Sequence, residues 1–164
     1  MHPHHERPVT ISVAVVTVSS TRNRDNDTSG KEAIQLLEKA GFCVAHYTIV
    51  PDDIEAIRRE LLTSLRSCNC VIFNGGTGLT PDDFTIEAVS PLLEKKMDGF
   101  GELFRAKSVQ EVGTSAILSR ALAGVCHGKA VFCIPGSTAA VTLATRDLII
   151  PELRHIISHA MKRH

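Results

Sequence analysis

The run Gly75-Gly76-Thr77-Gly78-Leu79-Thr80-Pro81-Asp82-Asp83-Phe84-Thr85 brings three kinds of chemistry into one short segment. Its glycines can take positive φ and let a ligand approach the main chain. Bare amides can hold a phosphate, Thr77 adds a hydroxyl, and the carboxylates of Asp82 and Asp83 can hold Mg2+. The spacing is neither Gly-x4-Gly-Lys-Ser/Thr nor Gly-x-Gly-x-x-Gly, so the segment is not a P-loop or a dinucleotide fingerprint. Two readings stay open from these residues alone. One is an anion or nucleotide site with room for a metal; the other is a tight turn whose aspartates cap a helix beginning at Phe84-Thr85.

Other residues offer less. The stretch Asp25-Asn26-Asp27-Thr28-Ser29-Gly30 leads into a helix N-terminus, where amides and dipole favour a phosphate or carboxylate; it is equally a helix start capped by Ser29 or Thr28. Glu102 and Arg105 are spaced for a solvated helical ion pair or for a site. His46, His127 and His155 have no partner at catalytic or metal spacing and read as surface or satisfied histidines. The cysteines, Cys43, Cys68, Cys70, Cys126 and Cys133, are odd in number and lack C-x-x-C spacing, so they read as small buried hydrophobes. His2, His4 and His5 fall in an expected flexible tail over residues 1–8 and are given no function.

The elements that must position the glycine run follow from periodicity. Residues 9–19 are β-branched and apolar and predict a strand, followed by a polar loop from Ser20 to Asp27. A helix is expected over residues 30–40, a strand over 42–50, a cap at Pro51-Asp52-Asp53 and an amphipathic helix over 54–65. Residues 70–73 form a buried strand that runs directly into the glycines. From Thr85 to about Arg120 the pattern is mainly helical. Strand-like runs at 122–126 and 130–134 form a hairpin through His127-Gly128-Lys129, and helices over 137–148 and 151–162 close the chain. Strands alternating with helices predict an α/β fold with a mostly parallel sheet, helices on both faces and one antiparallel hairpin strand. In such sheets ligands gather at the carboxyl ends of the strands, where the loops from Ser19, Pro51, Asn74 and Pro135 all begin.

The 164 residues predict a single domain over residues 9–164. Lys plus Arg (18) equals Asp plus Glu (18), which gives no field attracting nucleic acid or an acidic membrane surface. No apolar run is long enough to span a bilayer, and the N-terminus lacks the pattern of a secretory signal, so a cytoplasmic location is expected.

Five motifs stand in one order: Gly75-Gly76-Thr77-Gly78, Asp83-Phe84-Thr85, Gly99-Phe100-Gly101-Glu102, Ser119-Arg120 and Pro135-Gly136-Ser137. In them the chain resembles the MogA/MoaB family of molybdenum-cofactor biosynthesis proteins, over nearly everything from residue 9 to residue 159. It looks like the MoaB branch, in which molybdopterin is adenylylated before metal insertion. The resemblance implies a three-layer α/β/α sandwich, assembled as a homo-trimer or a hexamer of trimers. It also implies Mg2+ as cofactor and ATP and molybdopterin as substrates. Asp52 and Asp83 match the family's acidic positions and would be the catalytic, metal-holding residues. Thr77, Ser119 and Ser137 match hydroxyl positions near the pterin or its phosphate; Ser29, Gly75, Gly76, Gly78, Pro135 and Gly136 complete the expected substrate-binding set.

One departure bears on activity. Asp82 stands where a common form of the loop has arginine, which removes a positive phosphate contact and brings the loop closer to the related CinA nucleotide hydrolases. Gly99-Phe100-Gly101-Glu102 and Ser119-Arg120 favour the MoaB side. The expected activity is adenylylation of molybdopterin by Mg-ATP with release of pyrophosphate. Its alternatives are a non-catalytic molybdopterin carrier and a CinA-like nucleotide pyrophosphatase. Other proteins of the same biosynthesis are further expected partners.

Overall fold

The computed structural model describes residues 10–162, so the expected tail and its histidines lie outside the described residues. The strands are β1 (Ser12–Val18), β2 (Cys43–Val50), β3 (Cys70–Asn74), β4 (Lys95–Lys96), β5 (Leu122–Cys126) and β6 (Lys129–Ile134). They form one six-stranded sheet in the order β2-β1-β3-β6-β5-β4. β2, β1, β3 and β6 run parallel, and β5 is antiparallel to both of its neighbours. The helices are α1 (Thr28–Lys39), α2 (Ile54–Ser67), α3 (Thr85–Val89), α4 (Asp98–Val112), α5 (Thr138–Thr142) and α6 (Ile150–Met161).

Alternation along the central strands builds two cores, because successive side chains leave opposite faces of a sheet. Val13, Val15, Ile72 and Phe132 face one way and pack with Leu37 of α1, Phe104 of α4 and Leu153 of α6. Val16, Val71, Phe73 and Val131 face the other way, against Ile57 and Leu61 of α2 and Ala88 of α3. This is the expected three-layer sandwich. The chain leaves β1 toward β2 and then returns past β1 to β3, so the strand order reverses between β1 and β3. A crevice opens at the carboxyl ends of those two strands, the usual place for a ligand in an open α/β sheet.

Several boundaries differ from expectation. Helix α1 begins at Thr28 rather than Gly30, because the Asp27 carboxylate, not Ser29 or Thr28, caps it by accepting from Gly30 N at 3.2 Å. Asp53 caps α2 as expected, accepting from Ala56 N at 2.8 Å. The long helical stretch is broken. A 3-10 turn at Ser90–Leu92 contains Pro91, the two-residue strand β4 follows, and α4 stops where Gly113 takes φ +65° before a second 3-10 segment, Gly113–Leu118. Strand β4 carries two lysines and no apolar alternation, which suits the exposed edge of a sheet and hides it from a periodicity search. The two expected closing helices run together through a π-helical segment, Leu143–Ile149. The wider turn precedes Pro151, which has no N–H for the ordinary ladder.

Cys68, Cys70, Cys126 and Cys133 are buried and Cys43 is exposed. Burial pushes the thiols of Cys70 and Cys133 far above their ordinary value, which keeps them unreactive. Among the described residues no helix is long and apolar enough to cross a membrane.

Candidate functional site

A cavity of about 580 Å3 sits at this crevice. Loops after four strands line it: Ser19, Thr21 and Arg22 after β1, Asp52 after β2, Gly75 to Gly78 and Asp83 after β3, and Pro135, Gly136 and Ser137 after β6. Phe104, Val112, Ala116 and Leu118, from α4 and the 3-10 segment behind it, give a partly apolar opposite wall, with Ser119 at its end. A second cavity, of about 840 Å3, lies between Lys95, Lys96 and the α6 residues His155 and His159, and none of the five motif stretches reaches it.

The glycines do two jobs. Gly75 and Gly76 take φ +102° and +67°, and a Cβ on Gly76 would lie 2.3 Å from Thr85 Oγ1. The closeness that glycine permits at this position is therefore to the protein's own Thr85, whose hydroxyl donates to the Gly75 carbonyl at 2.8 Å and whose amide donates to Gly76 O. Arg120 braces the next residues, donating to the carbonyls of Thr77 (3.2 Å) and Gly78 (2.6 Å) and pairing in a fork with Glu87. Carbonyls held this way leave Thr77 and Gly78 fixed against the cavity. The Arg120 bond holds the Glu87 carboxyl below its ordinary value, and Glu87 in turn raises that of Arg120.

Neither Asp82 nor Asp83 caps α3; Phe84 stands at its cap position with no side-chain bond. Asp83 Oδ2 instead accepts from Thr80 N (2.9 Å) and Thr80 Oγ1 (2.8 Å), closing the loop on itself. Asp52 Oδ2 accepts from Ser20 N (3.1 Å) and Ser20 Oγ (2.9 Å), tying the loop after β2 to that after β1. In both aspartates Oδ1 takes no hydrogen bond among the described residues, and both side chains border the same cavity. The described residues hold no cluster of three or more His, Cys, Asp or Glu suited to a metal. Mg2+ is commonly held by one or two carboxylates and completed by substrate phosphates, so two carboxylates with a free oxygen each fit that ion.

Behind the cavity lies a buried polar cluster. Asp27, fully buried, accepts from Thr17 Oγ1 at 2.6 Å and from the Tyr47 hydroxyl. Burial and the Asp27 carboxylate push the Tyr47 hydroxyl well above its ordinary value, so it stays a donor. Asn74 donates to Thr17 Oγ1 (2.9 Å) and accepts from Ser29 Oγ (3.2 Å). Ser29 Oγ accepts from Arg22 Nη1 at 2.7 Å.

The structure thus gathers Asp52, Gly75, Gly76, Thr77, Gly78, Asp83, Ser119, Pro135, Gly136 and Ser137 on one cavity. Ser29 is the exception: it is buried and is not a lining residue, and its hydroxyl supports Arg22. Ser137 also caps α5, accepting from Ala140 N at 3.2 Å. The expected Glu102–Arg105 pair is not among the ion pairs of the described residues; Arg105 reaches the Ser119 carbonyl at 3.4 Å. His46 is satisfied by Glu60 at 2.7 Å and His155 approaches Glu152 at 3.3 Å. Arg22 and the bracing role of Arg120 were not anticipated. Arg22 stands in a polar loop without periodicity, and only contacts between distant loops reveal it.

Residues 14–155 match a family model described as a probable molybdopterin binding domain. The chain is 50% identical over 157 residues to molybdenum cofactor biosynthesis protein B of Staphylococcus aureus (strain MRSA252), covering 93% of this chain and 94% of that one. A crystal structure of a molybdenum cofactor biosynthesis protein B superposes with a TM-score of 0.91 at 45% identity, over 96% of this chain and 100% of the other. The tungsten cofactor synthesizing protein MoaB from Pyrococcus furiosus gives a TM-score of 0.85 at 40% identity, over 94% and 99%.

Proposed function

The chain belongs to the MogA/MoaB family of molybdenum-cofactor biosynthesis proteins, on its MoaB branch, and on that premise we propose that it adenylylates molybdopterin with Mg-ATP. The observation that carries the reading is the convergence of four strand-end loops on one cavity, with Asp52 and Asp83 both at its border. A pterin is flat and largely apolar on its faces, and the wall of Phe104, Val112 and Leu118 suits it. The hydroxyls of Thr77, Ser119 and Ser137, on the same cavity, suit the polar edge and the phosphate.

In the reaction, an oxygen of the terminal phosphate of molybdopterin attacks the α-phosphorus of ATP. The bond from that phosphorus to its bridging oxygen breaks, and pyrophosphate leaves with the electron pair. Such transfer needs positioning and charge neutralisation rather than a protein nucleophile. Mg2+, when bound, supplies neutralising charge to the triphosphate and to the leaving pyrophosphate. Asp52 and Asp83 would hold it through their free Oδ1 atoms. Ser20 and Thr80 keep the other oxygens occupied and so fix the direction of each carboxylate. Arg120 keeps the glycine loop from shifting as the ligands enter.

The test is a pyrophosphate-release assay with purified protein, molybdopterin, ATP and Mg2+, run beside molybdopterin binding. Release that requires all three components supports the reading. Tight molybdopterin binding without release would make the chain a carrier, and nucleotide hydrolysis without the pterin would make it a pyrophosphatase.

A further inference from the structure

The cavity carries an imbalance of charge. Among its described lining residues Asp52, Asp83 and Glu111 bring carboxylates, while Arg22 brings the one guanidinium or ammonium group. A phosphate entering it meets neutral amide and hydroxyl donors, but positive charge only at Arg22 or at a bound cation.

Arg22 is held from behind and open in front. Nη1 donates to Ser29 Oγ at 2.7 Å and Nη2 to the Gly136 carbonyl at 3.2 Å, which spans the loops after β1 and β6. Nη1 also lies 3.6 Å from Asp27 Oδ1; the arginine side chain is 35% exposed and the aspartate 0%. Two hydrogen bonds leave other donors of the planar fork unused, and that fork matches phosphate oxygens in pairs. Asp27 cannot leave its place to compete with the ligand for the remaining donors of Arg22. Thr17, Tyr47 and the Gly30 amide all donate to its carboxylate.

We infer that Arg22 is the phosphate-recognising residue of this cavity and that Asp27 is the positioning residue that fixes its guanidinium. The inference rests on the cavity being the molybdopterin site and assigns the phosphate grip within it. It also explains how the site manages with Asp82 in the glycine loop: the cation comes from the loop after β1 instead.

The experiment measures calorimetric binding of inorganic phosphate in EDTA, with metal removed, so that Asp52 and Asp83 cannot contribute through Mg2+. The wild-type protein binds phosphate, and Arg22→Gln weakens it about tenfold or more, as expected for a charge-assisted bond. Arg22→Lys does not restore it, because one ammonium cannot reach Ser29, Gly136 and the ligand together. Asp27→Asn weakens binding as well, and the double variant is scarcely worse than Arg22→Gln, because the two act through one guanidinium. In steady-state assays the loss appears in KM for whichever of molybdopterin or ATP carries the gripped phosphate. Arg22→Gln with an unchanged circular dichroism spectrum and wild-type phosphate affinity would overturn the inference, as would a wild-type protein that binds no phosphate at millimolar concentration. If phosphate binding follows Arg22 while no pyrophosphate is ever released, the grip stands and adenylyl transfer fails on its own.

Discussion

Arg120 shows how one side chain can serve a site that it does not line. It ties Glu87, on α3, to the carbonyls of Thr77 and Gly78, so its fork sets the shape of the glycine loop. The folded-state value of Glu87 is depressed. Its contribution is therefore fully present above the ordinary carboxylate range and is lost as pH falls through the lowered folded value. Both partners are about a third exposed or more, so solvent screens the pair and well under about 1 kcal/mol is expected. Thermal melts of wild type and Glu87→Gln should differ slightly near neutral pH and converge in acid. A gap that stays constant across that range would mean that the pair's charge has no part in it. At Gly76, too, the constraint is internal, because a side chain would strike Thr85 before it met any ligand. Gly76→Ala should thus cost stability as well as binding.

Among the elements, the π-helical segment joining α5 to α6 carries an unpaid polar group. Thr145 is fully buried, and its Oγ1 has no hydrogen-bond partner among the described residues. Valine keeps the branched shape and removes the stranded hydroxyl. Thr145→Val should stabilise the fold by about 1 kcal/mol, raising the melting temperature by about 2–4 °C. A lower melting temperature in calorimetry would show that the hydroxyl does find a partner. This segment also marks what a sequence can and cannot show. Strands β1, β3 and β6 are legible because runs such as Val13 to Val16 are buried on both faces of a parallel sheet. The joint at residues 143–149 is not, since Pro151 reads as a helix start and the wider turn that absorbs it leaves no mark in the pattern. The site divides the same way. Asp52, Asp83 and the glycines are visible because they follow strands in recognisable order, whereas Arg22 depends on Ser29 and Gly136, which only the folded chain brings beside it.

At the scale of the molecule, exposed apolar side chains gather in one stretch of the chain. Leu103, Val109, Val112, Ile117 and Leu118 are 49–79% exposed and all fall within α4 and the 3-10 segment after it. Apolar side chains left in water at this number suit association with another surface, and in the trimer or hexamer implied by the family resemblance a second copy would cover those that do not border the cavity, as Val112 and Leu118 do. Light scattering at micromolar concentration should show no stable 17.8 kDa species; a clean monomer would contradict self-association. The fold's larger consequence is that Asp52 and Asp83, on loops after different strands, border one cavity. The most direct measurement is the rate of pyrophosphate release by Asp52→Asn, Asp83→Asn and the double variant at saturating molybdopterin and Mg-ATP. If both acids hold one Mg2+, each single variant nearly stops turnover while still binding molybdopterin, and the double variant is scarcely worse than the poorer single one. Wild-type turnover in Asp83→Asn would contradict the account and leave that aspartate as a loop brace for Thr80.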